Sequence, residues 1–120
     1  MEKLGNRRKT GVEQYYTPKD LALQLSEKLI AITGSNRAFL EPAGGNGSFI
    51  EALEKLGATD IQAVDLFPKH PKVKGGNFLS HKPDGKDLVT ISNPPFGRNN
   101  SLSIPFFNHA ANHSEYIAFL

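Results

Sequence analysis

Cysteine and tryptophan are absent from this 120-residue sequence, and methionine occurs once. Without cysteine there is neither a disulfide framework nor a thiolate metal site, so an intracellular, cytoplasmic setting is expected. No apolar run is long enough to span a bilayer and no signal-peptide pattern opens the chain, so no membrane partner is expected. A strong charge of one sign is lacking too: 14 basic against 12 acidic residues leave a net +2. Internal repeats and low-complexity tracts are missing as well. What remains is 38% hydrophobic and 22% charged, a globular composition. Its length suits one domain that buries roughly two-thirds of its unfolded surface.

The placement of charge says more than its sum. Lys3, Arg7, Arg8 and Lys9 cluster in a polar stretch without periodicity, so residues 1–13 read as a basic flexible arm and 14–120 as the folded core. Lys69, Lys72, Lys74, Lys82 and Lys86 fall in an irregular segment rich in Pro, Gly and His. Solvated lysines account for each of these singly. Together they also suit the neutralisation of nucleic-acid phosphates.

Along the core, Thr17 has the chemistry of a helix N-cap and Pro18 that of a first helical residue. Leu21, Ala22, Leu25, Leu29 and Ile32 mark the buried face of that helix, and Gly34 its stop. Residues 37–41 read as a strand, 42–47 as a glycine-rich loop, 48–56 as a helix and 61–66 as the next strand. This βαβ unit is expected to be parallel. The segment 67–86 has room for a short strand near Val73 or over 77–79. Residues 87–92 form a further strand, 104–113 a helix with Phe106, Phe107 and Ala110 inward, and 116–120 a fifth strand. The fold class is therefore α/β: a Rossmann-like, mostly parallel open sheet with helices on both faces. Ligands bind such sheets at the carboxyl ends of the strands, at the topological switch point.

Two loops at those ends carry candidate chemistry. The first, Pro42-Ala43-Gly44-Gly45-Asn46-Gly47, has no lysine and so is not a P-loop. Three positions after Gly47 stands Ile50, where a dinucleotide fingerprint needs a small residue. A short Gly-Asn-Gly turn beneath a nucleoside survives, with Asp65 ending the next strand and placed to accept from two ribose hydroxyls. The second is Ser92-Asn93-Pro94-Pro95-Phe96-Gly97. Two prolines fix φ and bring no N–H donors, leaving an Asn amide, free carbonyls and an aromatic platform for a flat group bearing an exocyclic NH2. Read alone, either loop is equally a structural turn. His109 and His113 have the four-residue spacing of a metal pair, but no glutamate or third ligand accompanies them. No metal site is assigned.

Leu40 to Phe49 resembles motif I of the S-adenosylmethionine-dependent amino-methyltransferases. Asn93-Pro94-Pro95-Phe96 is similar to their motif IV. Gln14-Tyr15-Tyr16-Thr17-Pro18 resembles the segment preceding motif I in the N6-adenine group. The resemblance implies S-adenosyl-L-methionine as cofactor, with Tyr16 and Thr17 near its methionine end. Glu41 would orient the loop or the methionine amino group. Ala43 and Gly45 to Gly47, Asn46 included, would pass under the cofactor; Asp65 would hold the ribose, and Leu66 would lie against the adenine. Asn77 and Phe78 match motif III, although the family more often has an acidic residue before Phe.

The implied reaction is methyl transfer to N6 of adenine in nucleic acid, DNA favoured and RNA also considered. Asn93, Pro94, Pro95 and Phe96 would form its catalytic loop. A binding module that is inactive or depends on a partner is the alternative, and N5 methylation of a protein glutamine a further one. The resemblance also implies a seven-stranded sheet, of which about five strands are found. The core is thus expected to be incomplete at its C-terminal end, and to be completed by further chain, self-association or a second subunit through 116–120.

Overall fold

The computed structural model describes residues 2–3, 15–95 and 101–120. Phe96, Gly97 and Arg98, and the Arg7, Arg8 and Lys9 cluster, lie outside the described residues. Where the sequence predicts a flexible arm, β1 (Glu2–Lys3) pairs antiparallel with β2 (Tyr15–Tyr16). The other strands are β3 (Ala38–Glu41), β4 (Asp60–Asp65), β5 (Lys74–Gly75), β6 (Leu88–Ser92) and β7 (Ser114–Phe119). They form one sheet in the order β5-β4-β3-β6-β7, and each pairing is parallel. The chain winds outward from β3 to β4 and β5, then returns to β6 on the other side of β3. The switch point therefore lies between the carboxyl ends of β3 and β6.

Parallel strands at the centre of a sheet carry helices on both faces, so they read as runs without alternation. All five residues of β6 are buried. Period-two geometry sends Phe39, Val89 and Ile91 to one face. There they meet Ala22 and Leu29 of α1 (Lys19–Thr33) and Phe49, Ala52 and Leu53 of α2 (Ser48–Lys55). Leu40, Val64 and Leu88 point the other way, against Phe78 and against Phe106 and Ala110 of α3 (Ser103–Ala111). The Phe78 and Phe106 ring centroids are 5.2 Å apart. At the opposite end of the sheet from the site, the Arg37 guanidinium pairs with Glu115 and donates to the Asp87 carbonyl at 3.2 Å. It also lies 5.8 Å from the centroid of the Tyr116 ring, joining the starts of three neighbouring strands.

Several sequence expectations are corrected. Pro18, not Thr17, occupies the N-cap of α1, with an extended ψ of 143° and no side-chain cap bond; its carbonyl accepts the first helical bond, from Ala22 N–H at 2.9 Å. The buried stripe of α1 is Ala22, Ser26 and Leu29, two of them small enough for close approach. Leu21 and Leu25 are half-buried, and Ile32 is 70% exposed beside an apolar groove that Ala118 and Phe119 also line. In α3, Phe106 and Ala110 point inward one turn apart, which rotates Phe107 outward to 48% exposure. Asp87 has φ 56° and precedes β6 instead of starting it. The segment 67–86 holds β5 one residue after Val73, and residues 78–80 form a 3-10 turn rather than a strand.

Candidate active site at the switch point

The glycine loop is built by bonds to its neighbours. Gly44 N–H donates to the Val64 carbonyl at 3.0 Å, Gly47 N–H to the Gly44 carbonyl at 2.8 Å, and Lys69 N–H to the Gly45 carbonyl at 2.9 Å. Asp65 ties the loop to β4: its Oδ2 accepts from Gly45 N–H at 2.9 Å and its Oδ1 from Phe67 N–H at 2.8 Å. Asn46 Oδ1 accepts from the Ser48 hydroxyl at 2.9 Å and the Ser48 N–H at 3.3 Å, a local anchor at the start of α2.

The three glycines are needed for different reasons. A Cβ on Gly44 would lie 2.9 Å from a Val73 methyl, and one on Gly47, where φ is 81°, would lie 2.3 Å from the His70 ring. A Cβ on Gly45, at φ 51°, would meet nothing closer than 3.9 Å. Gly44 and Gly47 are held by packing within the protein, whereas at Gly45 the requirement is the left-handed φ alone.

Glu41 ends β3 with 2% exposure. Its Oε1 accepts from Ala43 N–H at 2.8 Å and from the Ser92 hydroxyl at 2.5 Å. Burial pushes its carboxyl up to about 8; the two bonds oppose that rise, and the charge of Asp65 adds to it. Among the described residues no cation forms an ion pair with it. The side chain is thus mostly a neutral acid at pH 7.

A consequence for stability follows from the sign of that shift. The folded chain keeps a proton that the unfolded chain, at an ordinary 4.5, has released. The contribution of Glu41 is therefore fullest below about pH 4.5 and is lost as pH rises through about 8. The slope is at most about 1.4 kcal/mol per pH unit. His113 acts oppositely: burial, then His109, Lys82 and His81, lower it from 6.5, so its contribution is lost as pH falls below that value. Between pH 6.5 and 8 the His113 slope fades and the Glu41 effect dominates in urea unfolding. Stability should decline across that window, and Glu41→Gln should flatten it.

A narrow cleft joins the two loops. Thr17, Glu41, Ala43, Gly44, Gly45, Asn46, Ser48, Phe49 and Asn93 line it, with a cavity volume of about 10 Å³. That is room for one water-sized group, so a nucleoside would lie across the loops rather than inside. Six positions singled out in the sequence, Thr17, Glu41, Ala43, Gly45, Asn46 and Asn93, therefore come together, and Asp65 joins them through Gly45. Pro94 is buried, Pro95 and Tyr16 are half-buried, and Leu66 is 46% exposed just past β4. Asn77 is exposed and its Oδ1 caps the 3-10 turn by accepting from Leu79 N–H at 3.0 Å. Phe78, at 2% exposure, is a core ring held edge-on by His109.

Two residues of the site escape sequence reasoning. Ser92, named in the sequence only as the start of the second loop, bonds Glu41 across paired strands; its role had no signal beyond a hydroxyl at a strand end. His70, packed over Gly47 and 3.4 Å from Glu51, stands in an irregular segment with no signal. The His109 and His113 rings meet edge-on at 5.3 Å, and His109 Nε2 lies 2.7 Å from the His81 carbonyl. Among the described residues no three ionisable side chains converge as a metal site, and no helix is long and apolar enough to cross a membrane.

A parallel sheet of this order, with a glycine loop after its first main strand and an Asn-Pro-Pro turn after the strand beyond the switch point, is the Rossmann-like methyltransferase fold. The chain matches the structure of a candidate RNA methyltransferase from Pyrococcus horikoshii with a TM-score of 0.73 at 22% identity, over 90% of this chain and 62% of that one. In sequence it is 27% identical over 99 residues to the Type II methyltransferase M.HincII of Haemophilus influenzae. It is equally similar, at 27% over 99 residues, to the Type II methyltransferase M.HindII of Haemophilus influenzae strain Rd. Each match covers 80% of this chain and 19% of the relative, so the chain spans about a fifth of the relatives' length. No protein-family model matches it. The resemblance to S-adenosylmethionine-dependent methyltransferases is borne out by these relatives and by the fold.

Proposed function

We propose that this chain is the cofactor-binding and catalytic core of a methyltransferase that uses S-adenosyl-L-methionine to methylate the exocyclic N6 of adenine in nucleic acid. The observation that carries the reading is the single cleft at the switch point, where Glu41 and the glycine loop meet Asn93. The cofactor supplies an electrophilic methyl group. The chain's residues fit it: a Cβ on Gly45 would meet nothing closer than 3.9 Å, Asp65 keeps lone pairs for ribose hydroxyls, and Glu41 is a buried carboxyl with no ion pair among the described residues.

An aromatic amine is a weak nucleophile because its lone pair is delocalised, so the need is alignment and stabilisation of developing positive charge. The Asn93 side-chain oxygen and the Pro94 carbonyl would accept the two amino hydrogens and draw the nitrogen toward tetrahedral geometry. Phe96 would stack on the base. No general base is needed beforehand, because the methylated nitrogen is acidic enough to lose its proton afterwards. A target within a duplex would be flipped out, and stacking would recover part of that cost. DNA is favoured over RNA on the residues of the Glu41 to Phe49 loop.

The test is calorimetric titration with S-adenosylmethionine, followed by tritium transfer from it to adenine-containing DNA and RNA oligonucleotides. Binding with transfer to DNA is expected. Binding without transfer would favour a module that depends on a partner; no binding would overturn the reading.

A further inference from the structure

We propose that Glu41 is a proton-linked counter-charge: seating the cationic methionine end of the cofactor in the switch-point cleft expels the Glu41 proton to solvent. This inference rests on the cofactor reading above and names a regulation of the same site by pH. Its basis is geometric. Glu41 is 2% exposed, lines a cleft with room for one water or one ammonium head, and has no cationic partner among the described residues.

Two donors, Ala43 N–H and the Ser92 hydroxyl, already converge on its Oε1. Both favour the carboxylate, so the site is built for the charged form, and among the described residues no positive charge pairs with it. The other ionisable group acting on it is Asp65, which disfavours ionisation. A cation brought into the cleft reverses that balance, because an opposite charge within a few ångströms favours the ionised form. Burial, which otherwise holds the group neutral up to about pH 8, supports the same conclusion.

The experiment is titration calorimetry of the full chain in buffers of different ionisation enthalpy. The ligands are S-adenosylmethionine and 5′-methylthioadenosine, which keeps the nucleoside but lacks the ammonium and sulfonium. At pH 6.5 the expected release is close to one proton for the first ligand and none for the second. Affinity for S-adenosylmethionine should rise about tenfold between pH 6 and pH 7, the limit for a single linked proton. It should fall again only where the ligand's own amine deprotonates, near about pH 8.

Glu41→Gln should abolish both the proton release and the rise with pH. Ser92→Ala removes a donor that favours the carboxylate, so it should keep the release and displace the rise to higher pH. Binding of both ligands without proton release would overturn this inference and leave the cofactor reading standing. So would an unchanged pH profile in Glu41→Gln, or a rise displaced to lower pH in Ser92→Ala. Failure of both ligands to bind would overturn the cofactor reading itself.

Discussion

Asn93→Ala is expected to abolish measurable methyl transfer, a loss on the order of a thousandfold or more, while cofactor affinity stays within a few-fold. Removing one well-placed group that stabilises charge in the reacting geometry costs about a hundred- to a thousandfold, and the same side chain would also orient the amine. The effect on affinity should be small because the cofactor would rest chiefly on Glu41, Gly45 and Asp65. Asn93→Asp is the informative companion. It retains an acceptor oxygen, so it should keep more activity than alanine; single-turnover tritium transfer distinguishes them. Equal loss in the two variants would mean that the amide N–H group, not the acceptor, does the positioning. Normal turnover in Asn93→Ala would remove Asn93 from the reaction.

Gly47→Ala is expected to destabilise the chain by roughly 2–4 kcal/mol, combining left-handed backbone strain with overpacking. It should also weaken S-adenosylmethionine binding by about tenfold or more on the proposed reading. The new methyl would sit 2.3 Å from the His70 ring, at a residue whose φ is 81°. His70 has little freedom to yield. Its Nδ1 accepts from Lys72 N–H at 3.1 Å and its Nε2 faces Glu51 at 3.4 Å. The Lys69 bond to Gly45 holds the same segment against the loop, so displacing His70 drags on the loop itself. Adding His70→Ala removes the clash and leaves the backbone strain, so the double variant should recover about half of the lost stability. Urea denaturation of the two single variants and the double variant gives the coupling. Additive effects would show that strain alone, not the His70 contact, makes glycine necessary.

Much of this molecule was legible before its structure. The apolar run over 88–92 marks a strand buried on both faces, and the glycine-stopped helix between the strands read over 37–41 and 61–66 implies their parallel pairing. Placing the glycine loop, Asp65 and the Asn-Pro-Pro turn at strand ends follows from local pattern alone. Helix faces were less legible: Ile32 and Phe107 are as apolar as their buried neighbours, and only the positions of the sheet and α3 decide which of them point outward. Asn77-Phe78 illustrates the same limit. As a dipeptide it matches a ligand-binding motif, yet the Asn side chain caps a turn and the Phe ring fills the core between Phe106 and His109.

By itself, then, the sequence determined the α/β class, the order of most elements and the loops on which the candidate chemistry stands. Those properties are written in local periodicity, in proline and glycine geometry, and in residue types at strand ends. Only the tertiary structure decided why Gly44 and Gly47 must be glycine, since Val73 and His70 arrive from a distant, irregular segment. Only it decided the state of Glu41 as well. A carboxylate is charged or neutral according to how completely it is removed from water and what charge stands beside it, and in the chain order nothing near Glu41 foretells its burial or its bond from the Ser92 hydroxyl.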